Sequence, residues 1–256
     1  MKMSKHEPIQ LQENLLAFPA LLSPLIFHGV FKRYSGVSPP PWNTQNISFG
    51  LGDDPANVRA NRDGLKKALG CTHLVSAKQV HGSKVFVVKE NPGSDLEVEG
   101  FDGLITNVPG LGLMIQQADC QAVMLFDPEK IAVGIAHVGW RGSVSDIIAK
   151  TISTMHNAFA TEPHDLIAAI SPSLGPCCAE FVNYHVELPV SLHGFQVRPQ
   201  YFDFWAISRD QLCTAGISPE NIHSAQICTC CNRDYFSYRR DRQTGRSASV
   251  IGIIGR

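Results

Sequence analysis

Between residues 85 and 136 the chain is cut into short apolar runs: Val85 to Val88, Gly103 to Thr106, Leu113 to Ile115, Ala122 to Phe126 and Ile131 to Ala136. Gly, Pro, Asn or Asp bounds each run, and runs this short read as strands that must pair in sheets. Further strands are expected at Leu25 to Phe31, Leu166 to Ile170 and Ser249 to Ile254. Helices interrupt them. Asp53-Asp54-Pro55 pairs an Asp cap with Pro in the first turn, Val58, Leu65 and Leu69 form an apolar stripe, and Gly70 is a stop. Gly142 to Phe159 sets Ile147, Ile148, Ile152, Met155 and Phe159 on one face; Asp203 to Ala215 carries Phe204, Trp205, Ile207 and Leu212 inward and stops at Gly216. There is no repeat, linker or low-complexity segment. The pattern predicts one α/β domain of the α+β type over residues 25–256, with mixed sheets packed against helices in α/β/β/α-like layers. Residues 1–24 are expected to be a lead-in with one apolar patch, Leu15 to Leu22.

Three segments at the edges of these runs carry the chemistry: Gln79-Val80-His81-Gly82, Ala118-Asp119-Cys120 and Ala136-His137-Val138-Gly139-Trp140-Arg141-Gly142. Two imidazoles and one thiolate suit a catalytic zinc ion, which keeps its fourth position open. Taken singly, each residue has a plainer role: Cys120 is also a small core hydrophobe at the start of a strand, and His137 also a satisfied structural histidine. Arg141 follows the His137 block at an expected helix start, where free backbone N–H groups favour phosphate. Arg240 is a second phosphate candidate through its paired N–H groups. A structural salt bridge is the alternative for both. Trp140 or Tyr238 offers a ring to stack on a base, or a place in the core.

Composition limits the partners. The net charge of -1 leaves no electrostatic footprint for nucleic acid or a membrane surface. No apolar run follows the lysines of Met1-Lys2-Met3-Ser4-Lys5-His6-Glu7, and none approaches the roughly 18 residues of a spanning helix. A cytoplasmic location is therefore expected, with the eight cysteines as thiols or metal ligands rather than disulfides. Cys228-Thr229-Cys230-Cys231 contains a C-x-x-C spacing, and Cys177-Cys178 lies upstream. Four thiolates from these could form a structural zinc, but adjacent cysteines suit one tetrahedral ion poorly, so packing or, after oxidation, an adventitious disulfide is the expected role and no second metal is assigned.

The three segments closely resemble the signature blocks of the laccase-domain family, also described as polyphenol oxidase or purine nucleoside phosphorylase of the peptidoglycan-editing-factor type. Further blocks agree: Phe27-His28-Gly29-Val30-Phe31, Gly52-Asp53-Asp54 with Asn61-Arg62, Asp102-Gly103-Leu104-Ile105-Thr106, Gly175-Pro176-Cys177-Cys178, and Ser237-Tyr238-Arg239-Arg240-Asp241 with Thr244-Gly245-Arg246. The likeness runs from about residue 25 to the C-terminus. Two departures stand out: the loop Ser38 to Ser48 keeps only Asn46 of the family's wording, and Gln121 stands where proline is common.

The resemblance implies a zinc-dependent purine nucleoside phosphorylase acting on adenosine, inosine, guanosine and methylthioadenosine, with adenosine deaminase activity. Its metal and catalytic residues are His81, Cys120 and His137. Asn46 joins Arg141 and Arg240 as a substrate contact, and Asp119 and Gln79 support the ligands, Asp119 by orienting a histidine. Asp119 and Asp102 are also the carboxylates nearest in sequence to serve as proton shuttle in deamination. Purine nucleosides and phosphate are the implied partners. Three rivals use the same pocket. A Cys-His hydrolase needs the same residues, a peptidoglycan-editing factor needs only binding, and a copper-dependent phenol oxidase replaces zinc by copper. A multicopper enzyme calls for His-x-His pairs, and none of the ten histidines is so spaced.

Overall fold

The computed structural model describes residues 8–255; the Met1 to Glu7 stretch used for the location argument lies outside them. Strands β1 (Ile9–Gln12), β2 (Leu15–Ala17), β3 (Ile26–Phe31) and β4 (His73–Lys78) precede β5 (Val85–Val88), β6 (Leu96–Glu99) and β7 (Gly103–Thr106). Then come β8 (Leu111–Gln117), β9 (Gln121–Asp127), β10 (Ala132–Val138), β11 (Ile167–Ile170), β12 (Gln196–Arg198), β13 (Tyr201–Phe202), β14 (Ile222–Ser224) and β15 (Ser247–Ile253). The helices are α1 (Pro55–Leu69), α2 (Trp140–Val144), α3 (Ile147–Phe159), α4 (Tyr184–Glu187), α5 (Phe204–Thr214) and α6 (Tyr238–Asp241).

Two mixed sheets hold the fold. One has seven strands in the order β1-β2-β3-β15-β8-β4-β6, the other six in the order β14-β11-β9-β10-β7-β5. Period-two alternation sorts their side chains between layers. Leu113 and Ile115 of β8 meet Met124 of β9 and Val133 and Ile135 of β10 between the sheets. Met114, on the opposite face of β8, packs with Leu74, Val250 and Leu65 of α1. Val123, Leu125 and Ala136 pack outward against Ile148, Ile152 and Met155 of α3 and Leu212 of α5. The expected α/β/β/α layering follows, with α1 on one outer face and α3 and α5 on the other. Each fully buried Leu or Ile contributes about 2 kcal/mol.

Local signals explain the helix ends. The Asp54 carboxylate accepts a hydrogen bond from the Ala56 N–H, Pro55 opens α1, and Gly70 closes it at φ 71°. Where one helix was expected over 142–159, there are two. Asp146 takes a left-handed conformation and its side chain accepts from the Ala149 N–H, capping α3 and ending α2. The stretch expected as a lead-in, residues 1–24, also differs in its described part. β1 and β2 extend the larger sheet and Leu15, Leu16, Phe18 and Leu21 are buried, because β2 pairs with β3 and its consecutive apolar residues pack on both faces of the sheet.

Candidate metal centre

Two of the connections that cross between the sheets at one end of the sandwich carry a ligand candidate. β4 of the larger sheet leads through Gln79–Gly82 toward β5 of the smaller, and β8 leads through Ala118–Cys120 into β9. His137 lies near the end of β10, in step with Val133 and Ile135, so alternation turns it into the space between the sheets. Thus His81, Cys120 and His137 converge, their ligand atoms all within 4.8 Å of one another. Sγ of Cys120 is 4.0 Å from Nε2 of His81, and the two imidazole rings meet edge-on with centroids 4.9 Å apart.

Asp102 organises this group. Its wholly buried carboxylate accepts hydrogen bonds from the N–H groups of His81 (2.9 Å), Gly82 (2.7 Å) and Val80 (3.3 Å), and lies 2.9 Å from Nδ1 of His137. Burial pushes the carboxyl group up, but the bonds from His137 and the loop outweigh it and hold it below its ordinary value. The ionised Asp102 fixes a proton on Nδ1 of His137, leaving Nε2 for a metal. Burial also pushes the Cys120 thiol up, while the charge and hydrogen bonds of His137 and His81 bring it down to about 6. His137 is disfavoured as a cation by burial, yet Cys120 and Asp102 raise it to about 9. Each group thus favours the charged form of the other.

The donor set and the space around it fit a zinc ion. A Cβ on Gly139 would stand 3.1 Å from Sγ of Cys120 and 3.1 Å from Cδ2 of His81, so any side chain there would crowd the cluster. The glycine has ordinary extended backbone, φ -82° and ψ 173°, and space alone requires it.

The cluster lines a cavity of about 700 Å³, walled by Phe49, Trp140, Leu174, Phe181, Phe204 and Tyr238, with Gln79, Asp119, Arg239 and Arg246 as polar groups. The Gln79 amide pairs with the backbone of Gln116, receiving the N–H and donating to the carbonyl, which fastens the His81 loop to β8. Asp119 orients no histidine. Its carboxylate accepts from the Thr229 hydroxyl at 2.7 Å and the Arg239 N–H at 2.6 Å, so the orienting role expected of it belongs to Asp102.

The substrate candidates are placed differently. Arg141 sits in the five-residue α2 with its guanidinium 4.2 Å from the Trp140 ring centroid, outside the cavity lining. Arg240 faces away from the cavity, pairing with Asp241 and donating to the carbonyls of Thr229, Cys230, Asn232 and Tyr235. Asn46 is buried behind the wall: its Nδ2 donates to Asp53 at 2.9 Å and its Oδ1 accepts from the Arg246 N–H at 3.0 Å. The arginines that line the cavity are Arg239 and Arg246. Their blocks were visible in the sequence; which residue of each block faces inward was not. Gln121 also has its amide occupied, by the Phe204 carbonyl at 2.8 Å and the Ser208 hydroxyl of α5.

Residues 27–254 match the sequence profile of a family described as multi-copper polyphenol oxidoreductase laccase. A Streptomyces griseus protein named purine nucleoside phosphorylase ORF3 is 34% identical over 228 residues, spanning 86% of this chain and 92% of its own length. The Escherichia coli protein named purine nucleoside phosphorylase YfiH is 31% identical over 234 residues, spanning 87% of this chain and 91% of its own. The crystal structure of YlmD from Geobacillus stearothermophilus superposes with a TM-score of 0.88 at 29% identity, covering 98% of this chain and 100% of that one. With the profile matched across nearly the whole chain and relatives above 30% identity over most of both lengths, this protein belongs to the laccase-domain family.

Proposed function

We propose that the protein is a zinc-dependent purine nucleoside phosphorylase acting on adenosine, inosine, guanosine and methylthioadenosine, with an adenosine deaminase activity in the same pocket. The observation that carries this reading is the convergence of His81, Cys120 and His137 on a cavity of about 700 Å³ with aromatic walls and two inward arginines. The names of the relatives support the phosphorolytic half. His81, Cys120 and His137 would hold the zinc, which when bound supplies Lewis-acid activation of water or of a phosphate oxygen.

This chain's residues do the rest. The apolar rings of Trp140, Phe181 and Tyr238 offer the purine a flat, partly dry wall. Arg246 offers its guanidinium group to phosphate, and Arg239, whose Nη1 and Nη2 hold the Glu180 carbonyl, adds positive charge beside it. In phosphorolysis a phosphate oxygen bonds to C1′ as the C1′–N9 bond breaks, and the electron pair leaves with the base. Positive charge beside the incoming phosphate lowers the repulsion in that step. For deamination the proton must reach the departing ammonia. Asp102 is wholly buried and does not line the cavity, whereas Asp119 lies in the cavity wall beside Cys120 and is the carboxylate assigned to that transfer, its oxygens also accepting from the Thr229 hydroxyl and the Arg239 N–H.

Phosphate-dependent release of purine base from adenosine and inosine tests the reading, with bound zinc followed in wild type and Cys120→Ala. Activity and zinc should disappear together. Zinc-loaded wild type that neither releases base nor deaminates would end the nucleoside assignment.

One observation favours a second reading. The lowered Cys120 thiol beside a raised His137 is also the pairing of a Cys-His hydrolase. Copper in place of zinc would make a phenol oxidase. Among the described residues, however, the other cluster of potential ligands contains only cysteines and no histidine.

A further inference from the structure

Some distance in sequence from the His81 group, two loops whose cysteines the sequence left between packing, a disulfide and a structural zinc bring four sulfur atoms together. Cys177 and Cys178 lie on the turn closed by the Cys178 N–H to the Gly175 carbonyl, 2.9 Å. Cys228 and Cys231 lie on a second turn, closed by the Asn232 N–H to the Cys228 carbonyl at 2.8 Å. Backbone bonds between Ser173 and both Ile227 and Thr229 clamp the two turns side by side. The Sγ atoms of all four cysteines lie within 4.8 Å of one another. Cys231 is 3.6 Å from Cys177 and 3.4 Å from Cys178, sulfur to sulfur.

We propose that Cys177, Cys178, Cys228 and Cys231 bind a second metal ion, a structural zinc held by four thiolates. Zn–S bonds of about 2.3 Å in a tetrahedron set the sulfurs about 3.8 Å apart, close to the spacing already present. The C-x-x-C of Cys228 and Cys231 is the usual half-site, and the tight turn lets the adjacent pair supply the other half. Gly175 completes the cradle. Its N–H donates to Sγ of Cys228 at 3.3 Å, and a Cβ there would meet Cys228 Cβ at 3.0 Å and the Trp205 ring at 2.8 Å. Such N–H donors stabilise metal-bound thiolate. Binding releases the thiol protons to solvent and leaves the site with a double negative charge. Two guanidinium groups face that charge: Arg240 grips the carbonyls of Thr229 and Cys230, and Arg198 donates to the Cys177 carbonyl at 3.0 Å.

All four positions are filled by protein, so the ion's role is to tie loops, not to meet substrate. The tied loops carry Leu174, whose N–H bonds the Asp119 carbonyl at 2.8 Å, and Thr229, whose hydroxyl bonds the Asp119 carboxylate. The second ion thereby steadies the turn that presents Cys120.

The test is metal stoichiometry on the full chain, purified anaerobically with reductant, in wild type, Cys120→Ala and Cys231→Ser. Wild type should carry one zinc equivalent beyond that lost in Cys120→Ala, and Cys231→Ser should lose that further equivalent while keeping the other. Should Cys231→Ser fail to fold, cobalt(II) titration of Cys120→Ala reads the site directly. An intense sulfur-to-cobalt charge-transfer band with four-coordinate ligand-field absorption is expected. Wild-type metal content in Cys231→Ser, or cobalt-titrated Cys120→Ala without that band, overturns the proposal. Neither result depends on which substrate the protein turns over.

Discussion

The carboxylate of Asp102 and Nδ1 of His137 lie 2.9 Å apart in a wholly buried contact, and the same carboxylate caps the backbone of the loop that bears His81. One side chain therefore orients one ligand and anchors the loop of another. Asp102→Asn keeps the shape but loses the charge, and zinc affinity should fall about 10–100-fold. Competition against a chelating dye measures this. Unchanged affinity would mean that the carboxylate has no part in holding the site.

Gly139→Ala should weaken metal binding without unfolding the protein, since the new Cβ meets Cys120 and His81 at 3.1 Å. Gly64→Ala is the matched control. Gly64 lies within α1 with nothing within 4 Å of where a Cβ would stand, so alanine there should stabilise by about 0.5–1 kcal/mol. Thermal melts with and without a chelator separate the two effects.

The inward and outward arginines should part company. Arg246→Ala should raise KM for phosphate by roughly 10–100-fold, the loss of a charged hydrogen bond, and cost less stability than Arg240→Ala, since it frees two backbone carbonyls rather than four. Arg240→Ala should leave KM nearly unchanged and cost roughly 2 kcal/mol of stability, because it removes the clamp on four backbone carbonyls. Steady-state kinetics beside urea unfolding checks the pair.

Stripping the metal should abolish base release and expose a reactive thiol. With Cys120 lowered to about 6, iodoacetamide labelling of the stripped protein should rise with pH through that value and be nearly complete at pH 7.5, while zinc protects. A Cys-His hydrolase would instead keep its activity after chelation.

Acid should destabilise the fold through His28. Burial pulls this imidazole from 6.5 down to about 4, and its Nε2 accepts the Phe18 N–H at 2.9 Å. Between these values the unfolded chain binds a proton that the folded chain refuses. Stability therefore falls as pH drops from 6.5 toward 4, by up to about 3 kcal/mol. Urea midpoints of wild type should show this slope, and His28→Gln should flatten it.

Much of the layering could be read from the chain, because period-two runs such as Ala122 to Phe126 and the capped stripe of α1 are local signals. β4 escaped notice because His73-Leu74-Val75-Ser76-Ala77-Lys78 mixes polar and apolar residues at positions whose burial depends on β8 and β6 beside it. The three ligand candidates were visible as motifs, yet their support was not. Asp119 is adjacent to Cys120 in sequence, whereas Asp102 reaches His137 only through the pairing of β7 with β10. Likewise Arg239 and Arg240 are neighbours, and the single turn of α6 alone decides which one faces the cavity. Cys177-Cys178 looked unsuited to a shared ion until the turn at Gly175 and the clamp at Ser173 set their sulfurs beside Cys231.

His81 and Cys120 sit on passages from one sheet to the other, and His137 belongs to the smaller sheet alone. A nascent chain that has formed either sheet by itself owns no complete chelate. The contacts that finish the site join residues 35 and 39 positions apart and bring the two sheets together. On the proposed reading, metal capture would mark the closing of the sandwich, and an ion once taken up would act as a latch against its reopening.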